Sequence, residues 1–208
     1  MKTRERIVVT SLALFNEFGE PNVTTLQIAD EMDISPGNLY YHYKNKTEIL
    51  NELYARFDKQ MQEILDAPPP VDISIDDQWL FLHLLFETIA QYRFIYQDLV
   101  NVMARHPKIA NRFKKLMNKK FKASMTILSS LASQNLLNAS EDEITALCHN
   151  IVLTITYWIS YDIVFNKASG EDINLGRGIY QVMALVAPYL IDDRRAMLEE
   201  MGRVYIED

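Results

Sequence analysis

Apolar residues recur at helical spacing along almost the whole chain, and three short amphipathic runs crowd its amino-terminal end. Ile7, Leu14, Phe15 and Phe18 mark one side of a first helix, which Gly19 ends. Leu26, Ile28, Ala29 and Met32 form a narrow second stripe. It is opened by Thr24 with Gln27 three residues on, the arrangement of a capping box. Asp33 and Ile34 make a turn. Ser35 is a natural N-cap and Pro36 suits the first helical position, where its missing N–H costs nothing, so a second helix is predicted over Pro36–Tyr43. Asn45 with Glu48 repeats the capping pattern for a helix running from Lys46 to about Asp66. Starts this closely spaced predict a helix-turn-helix.

Ala67-Pro68-Pro69-Pro70 must stop that helix, because consecutive prolines supply no donors and hold the chain extended. Beyond it, residues Asp76 to about Tyr96 are apolar on nearly every side, the pattern of a central helix. A short helix over Leu99–Arg105 ends before Pro107, and a longer one runs to about Leu137. Helices over Glu141–Asn166 and Ile173 to about Met201 follow, separated by Ser169-Gly170-Glu171-Asp172. No convincing strand-like alternation interrupts them. The expected fold is all-α, with a three-helix domain over residues 1–50, a connecting helix over 51–67 and a larger helical domain over 68–208.

Composition narrows the class. At 208 residues and 49% hydrophobic content, the chain can bury a second core beyond the helix-turn-helix. One cysteine, Cys148, rules out an intrachain disulfide and suits a reducing cytoplasm. No signal peptide is evident. The longest apolar segment, Leu147–Phe165, contains His149, Asn150 and Asp162, so a buried helix is expected rather than a membrane span. The net charge of -7 does not itself favour DNA. A DNA footprint must be local, built from Lys2, Arg4, Arg6, Lys44 and Lys46, with modest and salt-sensitive non-specific affinity.

The second short helix carries the chemistry. In a helix-turn-helix its amino-terminal residues face base edges in the major groove. Gly37 lets the backbone approach DNA closely, and Asn38 offers the amide donor and acceptor suited to adenine. Tyr40 can reach a thymine methyl or a phosphate, while Leu39 and Tyr43 face inward. Tyr41 and His42 lie where phosphates would run, and the Lys46 ammonium sits at a helix N-terminus, itself an anion site.

The run Thr-Leu-Gln-Ile-Ala, followed by Ile-Ser-Pro-Gly-Asn-Leu-Tyr-Tyr-His-Tyr-Lys-Asn-Lys, resembles the DNA-binding domain of the TetR family of bacterial repressors. The likeness covers residues 4–52. It implies that Thr25, Ser35, Tyr41, His42 and Lys46 contact the DNA backbone, and that Pro36, Gly37, Asn38 and Tyr40 lie near the bases. It also implies a carboxy-terminal receptor and dimer platform whose last two long helices pair into a four-helix bundle. Ile151, Val152, Ile155, Ile159, Ile163 and Val164 would supply one helix's surface, and Ile179, Val182, Met183, Val186, Leu190 and Ile191 the other's. A homodimer fits the DNA side too, since two short reading heads one turn apart on a palindromic operator give more specificity than one.

The expected ligand is a small hydrophobic or amphipathic molecule. His83, Glu87 and Gln91 recur every four residues on the central helix with Thr88 and Tyr92 beside them, and Tyr157 and Tyr161 add polar tips from a later helix. These line either a pocket or simply a solvent-facing stripe. A dry cavity of several hundred Å3 favours a small-molecule receptor, whereas a filled core favours control by a protein partner. Repressor and activator are not separable at this level. The run Arg105–Lys122, rich in Lys and Arg and free of acids, is expected to be the solvated face of a helix whose Ile109, Phe113, Leu116, Met117 and Phe121 point inward. No catalytic site, cofactor or metal is expected. The histidines lack metal-ligand spacing, adjacent Cys148 and His149 diverge by about 100° on a helix, and there is no glycine-rich phosphate loop. The overall expectation is a cytoplasmic, nucleoid-associated DNA-binding regulator.

Overall fold

Local capping sets the amino-terminal elements. In the computed structural model, which describes residues 2–67, 75–166, 174–191, 195, 196, 198 and 200, α1 spans Thr3–Phe18 and a 3-10 turn covers Glu20–Asn22. The Thr24 hydroxyl accepts the Gln27 N–H at 3.2 Å, and the Gln27 side chain accepts the Thr24 N–H at 2.8 Å. This reciprocal box opens α2, Thr25–Glu31. Asp33 turns the chain at φ 53°, a left-handed conformation that a short polar side chain tolerates. The Ser35 hydroxyl then accepts the Asn38 N–H at 3.2 Å and opens α3, Pro36–His42. Asn45 accepts the Glu48 N–H at 3.0 Å, but Glu48 reaches back to the Lys44 N–H rather than to that of Asn45, at 2.9 Å. The helix that follows, α4, runs over Lys46–Leu65.

Further on, α5 spans Ile75–Gln91, α6 Arg93–Gln97, α7 Leu99–Arg105, α8 Pro107–Ser133, α9 Glu141–Asn166 and α10 Leu175–Val186. No strand occurs among the described residues; one isolated antiparallel bridge joins Leu137 and Leu190. The all-α expectation holds, with α7 and α9 at their expected bounds. Three extents differ. The central helix stops at Gln91 instead of running to Tyr96, because Tyr92 leaves helical geometry. Helix α8 ends at Ser133, short of Leu137, with Asn135 at φ 55°. The expected single helix Ile173–Met201 is interrupted after Val186, where Pro188 turns the chain into a 3-10 segment over Ala187–Tyr189; of the described residues beyond, Arg195, Ala196, Leu198 and Glu200 are again helical. Pro68–Pro70 and Ser169-Gly170-Glu171-Asp172 lie outside the described residues.

The chain divides into two compact units. The first joins Met1–Gln60 to Gln91–Phe113, so it is larger than the 1–50 segment expected for the head. Its core holds Ile7, Phe15, Ile28, Leu39, Ile49 and Leu53, all fully buried, and an aromatic cluster in which Phe57 lies 5.6 Å from Tyr92 and 5.8 Å from Tyr96. The second unit takes Met61–Ala90 and Lys114–Asp208. There α9 and α10 pack closely around Gly178, where even a Cβ would lie 2.6 Å from both Phe86 and Trp158.

Candidate nucleic-acid interface and receptor cavity

Helix α3 is only seven residues long and is held from beneath by two anchors. Leu39 is fully buried, and Tyr43, its C-cap, is almost so. The Arg4 guanidinium lies 4.8 Å from the centre of the Tyr43 ring and donates to its hydroxyl at 3.2 Å, fixing α1 against the end of α3. Burial raises the Tyr43 pKa above the usual tyrosine value, so its phenol stays protonated. With those anchors inward, Ser35, Pro36, Gly37, Asn38, Tyr40 and Tyr41 are exposed, and His42 and Thr25 are half-buried. Tyr41 is 84% exposed, with its ring 5.1 Å from that of His42.

Tyr40 and Thr25 come together, their hydroxyls 2.9 Å apart, which ties the middle of α3 to the first residue of α2. Thr24, Thr25, Tyr40, Lys44 and Lys46 line one shallow concavity. Lys46 departs from its expected role. Its ammonium donates to the Glu20 carbonyl at 2.7 Å and the Val23 carbonyl at 2.9 Å, and pairs with the Glu20 carboxylate at 3.0 Å. Those partners account for the three donors of an ammonium. A phosphate contact by Lys46 would have to displace one of them.

Glu20, 3% exposed, also takes the Arg105 guanidinium at 2.9 Å, so two cations from α4 and α7 close on one buried carboxylate. No feature of the sequence singled out this junction; the only hint was Glu20 standing between Gly19 and Pro21 in an otherwise exposed turn.

The expected ligand-binding residues do not converge. His83 and Glu87 pair with each other along α5 at 3.2 Å, and the Thr88 hydroxyl donates to the Leu84 carbonyl of its own helix. Gln91 is exposed, while Tyr92 is buried in the aromatic cluster of the first unit. Tyr157 and Tyr161 are exposed on α9, where both line an open groove. None of these residues lines the apolar cavity of the second unit.

That cavity holds about 70 Å3, counted as the space open to the centre of a water molecule. It is smaller than the several hundred Å3 expected of a receptor, yet the core is not filled. Phe81, Leu85, Leu128, Ile155 and Met183 are among its walls, drawn from α5, α8, α9 and α10. Lys120 and Ser124 are its polar members. Lys120 overturns the expectation that the basic run is wholly a solvated face, since it is 2% exposed. The signal was the helical phase: Phe113, Leu116 and Lys120 share one face of α8 with Ile127 and Leu131.

Among the described residues there is no cluster of His, Cys, Asp or Glu able to hold a metal, and no helix long and apolar enough to cross a membrane.

A capped two-turn helix presenting exposed polar residues above a buried Leu and Tyr defines a helix-turn-helix DNA-binding protein. Comparison with known proteins gives the family. Residues 7–53 match the model described as bacterial regulatory proteins, tetR family, and residues 56–198 match that of a TetR bacterial transcriptional repressor domain. The chain belongs to the TetR family of transcriptional regulators, non-enzymatic DNA-binding proteins. A TetR-family transcriptional regulator from Marinobacter aquaeolei VT8 shares 34% identity over 99% of each chain, with a TM-score of 0.86. The regulator KstR2 of Mycobacterium tuberculosis shares the fold at 20% identity, with a TM-score of 0.67 and coverage of 92% of this chain and 96% of that one. Among curated relatives, the "Probable acrEF/envCD operon repressor" of Escherichia coli (strain K12) is 35% identical over 54 residues, which is 26% of this chain and 24% of that protein. The chain thus matches about a quarter of that relative's length.

Proposed function

We propose that this regulator is a homodimeric repressor that binds a palindromic operator through α3 and leaves it when a small molecule enters the second unit. The observation that carries the DNA part is the division of α3, with Leu39 and Tyr43 buried and Gly37, Asn38 and Tyr41 left exposed. Asn38 would read a base edge, Gly37 would allow close approach, and Tyr41, His42 and Thr25 would meet phosphates. A chromosomal operator would put its site of action in the cytoplasm, at the nucleoid.

Dimerisation is supported by α9, although among the residues expected for it on that helix only Val164 is exposed. Ile151, Val152, Ile155 and Ile159 are buried within the chain's own core. The face left uncovered instead carries Leu153, Tyr157, Tyr161, Val164 and Phe165, all exposed, with Tyr161 stacked on Phe165 at 5.4 Å. An apolar stripe of this size on a helix favours pairing with a second copy.

The apolar walls of the cavity, broken by Lys120 and Ser124, support a small molecule as the controlling signal, although its volume falls short of the several hundred Å3 set out above. A ligand shifts operator affinity only by binding the two states of the repressor unequally. Selection of bound sequences from random DNA tests the proposal: a palindrome with half-sites about one helical turn apart is expected. Recovery of no preferred sequence would overturn it.

A further inference from the structure

The cavity wall has a direction. Lys120, Ser124, Ile127, Leu128 and Leu131 all reach it from α8, at spacings that keep them on one face of the helix. The polar pair stands one turn apart at one end, and the aliphatic residues occupy the next turns. Ile151, Ile155, Val182 and Met183 extend the apolar part from α9 and α10. From Lys120 to Leu131 the helix rises about 16 Å, the length of a chain on the order of ten carbons.

Lys120 is out of place by the ordinary rules of burial. An ammonium in an apolar wall carries a large desolvation cost, and a Met of similar volume would stabilise the fold more. Burial holds its pKa down to about 7. Lys120 already has an interaction within the chain, and the three donors of an ammonium leave capacity for a ligand as well. Ser124 adds a hydroxyl on the same face. Once protonated by the approach of an anion, the Lys120 ammonium with the Ser124 hydroxyl matches a monoanion with two acceptor oxygens. A dianionic headgroup would bring a charge that this wall does not balance.

We propose that the ligand of this domain is a medium-chain aliphatic carboxylate, its headgroup held by Lys120 and Ser124 and its tail lying along the α8 face toward Leu131. This rests on the small-molecule reading above and specifies its chemistry. The narrow volume suits a single unbranched chain, entered with small movements of Met183 and the leucines.

Calorimetric titration of the purified full chain with decanoate, 1-decanol, decyl phosphate and decylammonium, each below its aggregation concentration, tests the assignment. Decanoate is expected to bind one per chain and at least tenfold more tightly than each of the others. Lys120→Met should weaken decanoate at least tenfold while changing decanol less than threefold, and Lys120→Arg should restore part of the preference. Ile127→Trp, which fills the apolar end, should weaken decanoate and decanol alike. The proposal is overturned if wild-type protein binds decanoate no better than decanol, if decyl phosphate is preferred, or if no probe binds. The wild-type comparison decides the matter even if Lys120→Met does not fold. Decanoate binding that leaves affinity for the selected operator unchanged would sink ligand-controlled release while leaving the carboxylate site standing.

Discussion

The Asn16 side chain donates to the Gln91 carbonyl at 2.8 Å, across the break between α5 and α6. Its own carbonyl oxygen accepts the Phe94 N–H at 3.1 Å. One amide thus satisfies two backbone groups that the interruption at Tyr92 would otherwise leave without partners. Asn16→Leu keeps the size and removes both bonds. It should lower stability by about 1–3 kcal/mol in urea unfolding monitored by circular dichroism. A variant as stable as the wild type would show that the break is held by something else.

Lys46 gives a second expectation because its ammonium is engaged inside the head. Lys46→Met leaves Glu20, buried to 3% exposure, with Arg105 as its remaining cation and frees the Glu20 and Val23 carbonyls. Removing one partner of a buried pair typically costs about 3–5 kcal/mol. Because the pair keeps a second cation, we expect a loss of about 2–3 kcal/mol, appearing as a lower Tm. Operator affinity should fall through misplacement of α2, equally for every operator sequence. Weaker DNA binding at an unchanged Tm would instead mean that Lys46 meets phosphate directly.

Gly37 separates interface from fold cleanly. A Cβ at this position would meet only the Ser35 hydroxyl, at 3.9 Å, an ordinary contact. Gly37→Ala should therefore leave the head as stable as before, or more so by up to about 1 kcal/mol from helix propensity. Its operator affinity should nevertheless drop, since the methyl group stands where the backbone approaches DNA. Asn38→Ala should relax base preference at one position per half-site, at a cost of about 1–3 kcal/mol. Electrophoretic mobility shifts with the selected operator and its point variants measure both. Gly37→Ala binding as tightly as wild type would place the DNA elsewhere.

What could be read from the sequence follows the range of the forces involved. The starts at Thr24, Ser35 and Asn45 were legible because an N-cap bond spans only three residues. Ser140 and Glu143 form the same box before α9, with Glu143 held below the ordinary carboxylate pKa by the Ser140 backbone and side-chain hydrogen bonds. The break at Tyr92 was illegible, since the residue that stabilises it, Asn16, lies 75 positions away from Gln91. The break in the last helix was legible in principle, because Pro188 supplies no donor to continue it. The outward face of α9 was beyond reach for a different reason. The helix is apolar all round, and only packing decides that Ile155 goes in and Tyr157 stays out. Lys120 was hidden by its neighbours, because a run of lysines reads as solvated unless the helical phase is followed residue by residue.

Gly178 marks the tightest approach in the second unit. Phe86 and Trp158 would both stand 2.6 Å from an added Cβ, and both are buried, so neither can withdraw freely. Overpacking of this kind costs about 1–3 kcal/mol, against a gain of about 1 kcal/mol from replacing a helical glycine. The net expectation for Gly178→Ala is a loss of about 1–2 kcal/mol, or a drop in Tm of a few degrees. An increase in Tm on calorimetry would mean that α9 and α10 have slack that the packing does not show.

The buried ammonium of Lys120 should leave a signature in stability against pH. Its folded pKa is held down to about 7 by burial, below the 10.5 of an ordinary lysine. Between those values the unfolded chain carries the proton and the folded chain does not. Stability from this group therefore rises with pH through that interval, and is lost as pH falls through 7. Cys148, whose pKa burial raises, works in the opposite sense as its unfolded thiol ionises, so the useful window is pH 7–8.5. Across it the contribution from Lys120 approaches 1.4 kcal/mol per pH unit, on the order of 2 kcal/mol in all. His106, with a pKa lowered mainly by burial, adds a small slope of the same sign at the lower end of this range. Lys120→Met should be more stable than the wild type at pH 7, and the gap should narrow as the pH is raised. Parallel stability profiles for the two proteins would mean that Lys120 keeps its charge in the folded chain.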